Sequence, residues 1–232
     1  MRSGNAIASR GHKFAALLAL LLVSLAIQSF DIRSGAEGVL SDAFRTMLGV
    51  AILFVVFERP RERAGMAAML AVIVAIGWLP HFSAPTLDYA LSLALHALMA
   101  LFLWIAVWVI LRDLFHKTAV GAENVLGAIC GYLIAGDAWA GVNACTYLLV
   151  PMAYSVNPDV NALLDNWHGR QALFSYYSFT QMLTIGYADV TPVRAPATTL
   201  SLIGALFGLF YTAIVVSQFV GLAQSRQTGD SG

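Results

Sequence analysis

Apolar residues run through this chain in six long stretches, at 14–30, 39–57, 64–79, 87–111, 120–150 and 193–222. A helix needs about 17 to 25 such residues to cross the hydrocarbon core of a bilayer, so each stretch predicts a spanning helix, the third being the shortest. Between the fifth and sixth lies another segment, 171–183, too short and too polar to span. It is followed by a stretch containing Gly186 and then by Pro192. Backbone without helical hydrogen bonds is tolerated at membrane depth only where protein encloses it or where it lines an aqueous path, so this is the pattern of a re-entrant segment. The predicted fold class is an all-α membrane protein of six transmembrane helices, with a short helix and a loop between the fifth and sixth.

Composition agrees with that pattern. Hydrophobic residues make up 59% of the 232 and charged residues only 11%, a balance that several bilayer spans require and a soluble domain does not. Thirteen basic and thirteen acidic residues cancel, which argues against a nucleic-acid partner. The cysteines, Cys130 and Cys145, lie within one predicted helix, about 22 Å apart at helical rise, too far for a disulfide. No His-Glu-x-x-His, Cys-x-x-Cys, Gly-x-Ser-x-Gly or phosphate-cradling glycine loop is present, so no enzyme activity is expected.

The basic residues sort by side. Arg2, Arg10, Lys13, Arg59, Arg61, Arg63, Arg112, Lys117 and Arg226 fall on one face, leaving Arg33, Arg45, Arg170 and Arg194 for the other. The positive-inside tendency then puts both termini in the cytoplasm and the 155–170 loop outside, in a multi-pass protein of the plasma membrane, the inner membrane in a bacterium. Residues 1–30 also have the basic start and apolar core of a signal peptide. Their apolar run is long for one, however, and Ala26-Ile27-Gln28 is a poor small-residue cleavage site, so the first helix is read as retained.

The segment 184–189 reads Thr-Ile-Gly-Tyr-Ala-Asp. It resembles the Thr-Val-Gly-Tyr-Gly-Asp signature of the potassium-channel family, whose four subunits surround a filter of backbone carbonyls. The resemblance covers roughly 120–222. It implies that Thr184, Ile185, Gly186, Tyr187 and Ala188 bind potassium ions, with no other cofactor, and that Asp189 sits behind the filter, tied to Tyr176. It also implies a homotetramer in the lipid bilayer, divided into a four-helix domain at 1–117, a pore domain at 118–222 and a short cytoplasmic tail at 223–232. Ala188 departs from the family's second glycine. If that position needs positive φ, alanine there costs about 1 to 2 kcal/mol in each subunit, and selectivity for potassium over other monovalent cations is relaxed. The alternative is a non-conducting channel-like assembly or regulatory subunit.

Several other positions have two readings each. Gly208 stands where the family has a hinge glycine, while Gly204 and Gly208 together form a Gly-xxx-Gly pair suited to close helix packing. Ser217 and Gln218 either line a gate or bond to a neighbouring helix. The predicted fourth span contains Asp88 and His96 but no basic residue before Arg112, so it lacks the arginine repeat of a voltage sensor. His96 is expected to be a hydrogen-bonded packing residue rather than a pH sensor, and Asp137 to bond a neighbouring helix. Asp159, Asp165 and Asp189 lie in the outer loop, where a fourfold ring would gather cations; ordinary loop polarity suffices for Asp159.

Overall fold

The computed structural model describes residues 13–28, 39–79, 89–116, 122–186 and 189–229. Its helices are α1 (Lys13–Gln28), α2 (Val39–Val56), α3 (Pro60–Trp78), α4 (Tyr89–His116), α5 (Ala122–Leu149), the short α6 (Trp167–Met182) and α7 (Ala195–Gly229). A 3₁₀ helix at Pro158–Asp165 and two short strands, β1 (Tyr154–Val156) and β2 (Val190–Pro192), fill the connections on either side of α6. The all-helical expectation thus holds, with one antiparallel two-stranded ribbon added: Tyr154 pairs with Pro192, Ser155 with Thr191 and Val156 with Val190.

Boundaries differ from the apolar runs where capping chemistry overrides hydropathy. α3 begins at Pro60, earlier than the run at 64, because proline at a helix start loses no hydrogen bond there. α6 begins at Trp167, ahead of 171, because the Asn166 side chain caps it by accepting from the Gly169 amide at 2.7 Å. α7 continues through Gly229, so most of the predicted tail at 223–232 is helical. Among the described residues α4, α5 and α7 are long and apolar enough to cross a membrane unaided. α2 and α3 are shorter, at 18 and 19 residues, and the first turns of α3 carry Arg61, Glu62 and Arg63.

Contacts at the two ends show that α2, α3, α4 and α5 alternate in direction. At one end Arg112 of α4 lies 3.7 Å from Glu62 of α3, and Arg63 Nε donates to the Phe57 carbonyl at 2.8 Å, closing the end of α2. At the opposite end the Tyr89 hydroxyl of α4 donates to the Leu148 carbonyl of α5 at 2.7 Å, and Trp78 of α3 donates to Thr46 of α2 at 3.1 Å. α6 starts at that second end. Its last residue reaches Gly208, which lies about 20 Å along α7 from Ala195 at helical rise. β2 lies beside β1, so Trp167 and Val190–Pro192 stand on the same side.

A main core joins α1 to α5 through residues such as Leu17, Ile52, Phe102, Val107 and Ile134. A second surrounds α6 with Tyr154, Phe174, Tyr177 and Ala197. Arg170 is buried at the start of α6, where Nη1 donates to the Leu164 carbonyl and Nη2 to Ser92 Oγ of α4, each at 2.5 Å. Read from the sequence as an outer-loop charge, it instead fastens the 3₁₀ helix and α4 to α6. A charged donor to buried acceptors contributes about 1.5 to 3 kcal/mol. Arg170→Met should therefore lower thermal stability in detergent by about that amount per chain, whereas an unchanged melting midpoint would show that the contacts are dispensable.

Candidate functional site

α6 is buried on nearly every side, including its polar residues, so those residues need partners. Ser175 Oγ donates to Asp137 Oδ1 of α5 at 2.5 Å, and Asn143 Nδ2 of α5 donates to Ser178 Oγ at 3.0 Å. Tyr154 of β1 donates to Asn143 Oδ1 at 2.8 Å, and the Tyr177 hydroxyl shares a hydrogen bond with Ser201 Oγ of α7 at 2.5 Å. His168 Nε2 meets Asp42 Oδ1 of α2 at 2.7 Å. Together with the Arg170 bond to Ser92, these tie the short helix to α2, α4, α5 and α7, and Tyr154 of β1 braces the Asn143 side chain that meets it. Asp137 has its interhelical bond as expected. His96 is fully buried, with the Gln171 side chain of α6 as its hydrogen-bonding neighbour.

Beyond Met182 the amides turn back onto the helix. Leu183 N–H donates to the Phe179 carbonyl at 2.9 Å and Thr184 N–H to that of Gln181 at 3.0 Å. The Thr180 carbonyl accepts from both Ile185, at 2.8 Å, and Gly186, at 3.2 Å. Thr184 has φ 58° and Gly186 φ 68°, both left-handed, while Ile185 between them is not. Such alternation gathers successive N–H groups on one side of the backbone and sends the carbonyls to the other. Among the described residues no hydrogen bond ends on the carbonyls of Thr184, Ile185 or Gly186, and this stretch is exposed. Left-handed backbone at a β-branched threonine costs about 1 to 2 kcal/mol, so the surrounding bonds must hold it. The Thr184 hydroxyl donates to the Leu183 carbonyl at 2.7 Å. Tyr187 and Ala188 lie outside the described residues, and with them the question of φ at 188.

The returning chain is gripped at Asp189. Its carboxylate accepts from the Tyr176 hydroxyl at 3.2 Å and from Asn157 Nδ2 at 3.3 Å, and its carbonyl accepts from the Asn157 amide at 2.8 Å. The sequence pattern does not single out Asn157. Its only local signal is Pro158 after it, since the same side chain caps the 3₁₀ helix by accepting from Asp159 N–H. Asp159 and Asp165 are exposed in that segment.

α7 buries one narrow stripe against its own chain: Ala197, Ser201, Gly204, Gly208, Tyr211 and Val215, spaced alternately four and three. A Cβ on Gly208 would collide with the Met182 carbonyl, whereas one on Gly204 would make ordinary contact with Trp139 at 3.8 Å. Gly208 thus serves close approach to the end of α6, and Gly204 is not required for that approach. The rest of α7 leaves Leu202, Leu206, Leu209, Phe210, Ile214 and Val216 exposed. Ser217 is exposed and Gln218 half-buried near the far end.

Residues 144–225 match a family model described as ion channel, and they span α6, the turned backbone after it, Asp189 and most of α7. These residues are similar to an ion-channel domain. The human potassium/sodium hyperpolarization-activated cyclic nucleotide-gated channel 3 is 30% identical over 123 residues, covering 49% of this chain. The chain spans 15% of the length of that relative. No solved structure matches it. Within the matched residues α6 precedes the turned backbone at 183–186 and α7 follows Asp189.

Two substitutions separate the glycines. Gly208→Ala should destabilise the chain by about 1 to 3 kcal/mol by pushing α7 off the end of α6. Gly204→Ala should stay within about 0.5 kcal/mol of the wild type in the same thermal unfolding measurement. Equal effects would contradict the assignment.

Proposed function

We propose that the chain assembles as a homotetramer whose axial path conducts monovalent cations, potassium foremost, down their electrochemical gradient. The observation that carries this reading is the backbone at 184–186, whose amides are bonded inward to α6 while its carbonyls are left without partners among the described residues. Four such segments around an axis replace the water shell of a dehydrated cation with rings of carbonyl oxygen. The C-terminal end of α6 adds partial negative charge behind them. Thr184, Ile185, Gly186, Tyr187 and Ala188 form the ion-binding run, with Asp189 held by Tyr176 and Asn157 as its outer support.

The exposed apolar face of α7 supports assembly, since in the tetramer it packs against neighbouring copies and lines the path between them. The grouping of Arg59, Arg61, Arg63 and Arg112 at the end opposite the filter supports a cytoplasmic placement of that end. Ser217 and Gln218 then lie toward the cytoplasmic mouth, where a gate would close. Steep voltage dependence is not expected, because α4 carries no basic side chain before Arg112 apart from His96. The human relative is by name a potassium/sodium channel, which supports passage of both cations here, and Ala188 in place of glycine favours the same relaxed choice.

Cation flux into liposomes containing the purified protein tests the reading. A potassium gradient should drive barium-sensitive flux, sodium substitution should reduce without abolishing it, and Ala188→Gly should widen the difference between the ions. Folded, cross-linked tetramers that pass neither ion, in the wild type and in Ala188→Gly, would sink the conducting reading and leave an assembly subunit.

A further inference from the structure

A cavity of about 80 Å³ lies within the bundle of α1 to α5, away from the filter. Its walls are largely apolar, with Leu48, Val74, Met99 and Phe102 among them, and it is polar where Gln28, Asp42, Arg45, Asp137 and Trp167 meet. Among the described residues, the acceptor Gln28 Oε1 and the donor Trp167 Nε1 are buried in that lining without partners. Both residues are 7% exposed. Gln28 uses its amide nitrogen on Ser24 at 3.4 Å, and the Trp167 ring carries the Arg45 guanidinium 5.3 Å from its centroid. Leaving a buried polar atom unpaired costs about 1 to 3 kcal/mol, so the site is built to satisfy both atoms in some other way.

An occupant must offer a donor to Gln28 and an acceptor to Trp167. A hydroxyl does both. It must also tolerate hydrocarbon around the rest of its body, which water does poorly and an alkyl chain does well. One water needs about 10 to 15 Å³ of such space, so the cavity takes roughly five to eight waters or a chain of a similar number of non-hydrogen atoms. A charged head is disfavoured: Asp42 is already bonded to His168 and Asp137 to Ser175, the Arg45 guanidinium lies over the Trp167 ring with Asp137 as a counter-charge, and a further ion would have to be desolvated among them.

We propose that this cavity is a binding site for a small uncharged amphiphile, one hydroxyl on an apolar body of about five to eight non-hydrogen atoms. The same polar end holds the start of α6, through Trp167 itself and through the contact of Asp42 with His168, so the occupant touches the helix that precedes the proposed ion-binding run. Binding at this site does not depend on conduction, and its test is independent of flux.

The full chain in liposomes is photolabelled with a diazirine-bearing pentanol, and the labelled residues are mapped by mass spectrometry. Saturable labelling of Met99 or Phe102 is expected, competed by 1-hexanol and not by hexanoate. Trp167→Phe, which keeps an aromatic ring and removes the donor, should raise the half-saturating concentration about three- to tenfold. Val74→Trp should abolish saturable labelling by filling the space. Melting midpoints identify any variant that fails to fold, and Trp167→Phe then decides alone. Labelling that rises linearly with probe, or falls mainly on exposed Trp108, and is unmoved in Trp167→Phe would overturn the proposal and leave a water-filled cavity.

Discussion

A 16-residue helix buried in the middle of a membrane protein holds its place only if its polar side chains are paired with those of the helices around it. α6 meets that constraint with bonds to Asp42, Ser92, Asp137, Asn143 and Ser201, drawn from α2, α4, α5 and α7. In lipid these bonds carry more of the specification than apolar contact does, because an apolar side chain gains little by exchanging lipid for protein. The many apolar side chains exposed on α4 and α7 are consistent with that physics.

The anchored helix sets the path of the chain beyond it. With α6 fixed, Thr180 offers one carbonyl that takes two amides of the returning chain, and the left-handed backbone at Thr184 and Gly186 results from reaching it. Asp189 secures the other end of the same short segment. Its grip involves a side chain on α6 and both backbone and side chain of Asn157, so the loop before α6 and the loop after it stabilise each other. The left-handed threonine is strained in isolation and held by bonds at both of its flanks. That is the condition under which backbone carbonyls can be kept in place without partners of their own.

Much of this was legible in the sequence, and for physical reasons. Helices α4, α5 and α7 follow from apolar length alone, and the re-entrant segment from being too short and too polar to span. What could not be read was pairing over distance. Arg170 looks like a loop charge until Leu164 and Ser92 are brought to it, and nothing adjacent to Asp42 announces His168, 126 positions away. Asn157 is an ordinary turn residue by its neighbours, and only the return of the chain at Asp189 gives it a second task. Helix starts at Pro60 and Asn166 were visible as capping signals, but apolar runs alone placed the starts four residues late at both α3 and α6. Hydropathy also separated the described end of α7 from its apolar run, since a helix already nucleated continues through polar residues.

On the proposed function, the carbonyls of Thr184, Ile185 and Gly186 are the groups that meet a dehydrated cation. Solid-state NMR of protein carrying carbonyl ¹³C labels at these residues, in lipid with potassium and then with a large organic cation in its place, tests it most directly. Resonance shifts are expected at all three carbonyls on adding potassium, with labelled carbonyls inside α7 unmoved. Filter carbonyls indifferent to potassium in folded, tetrameric protein would contradict it.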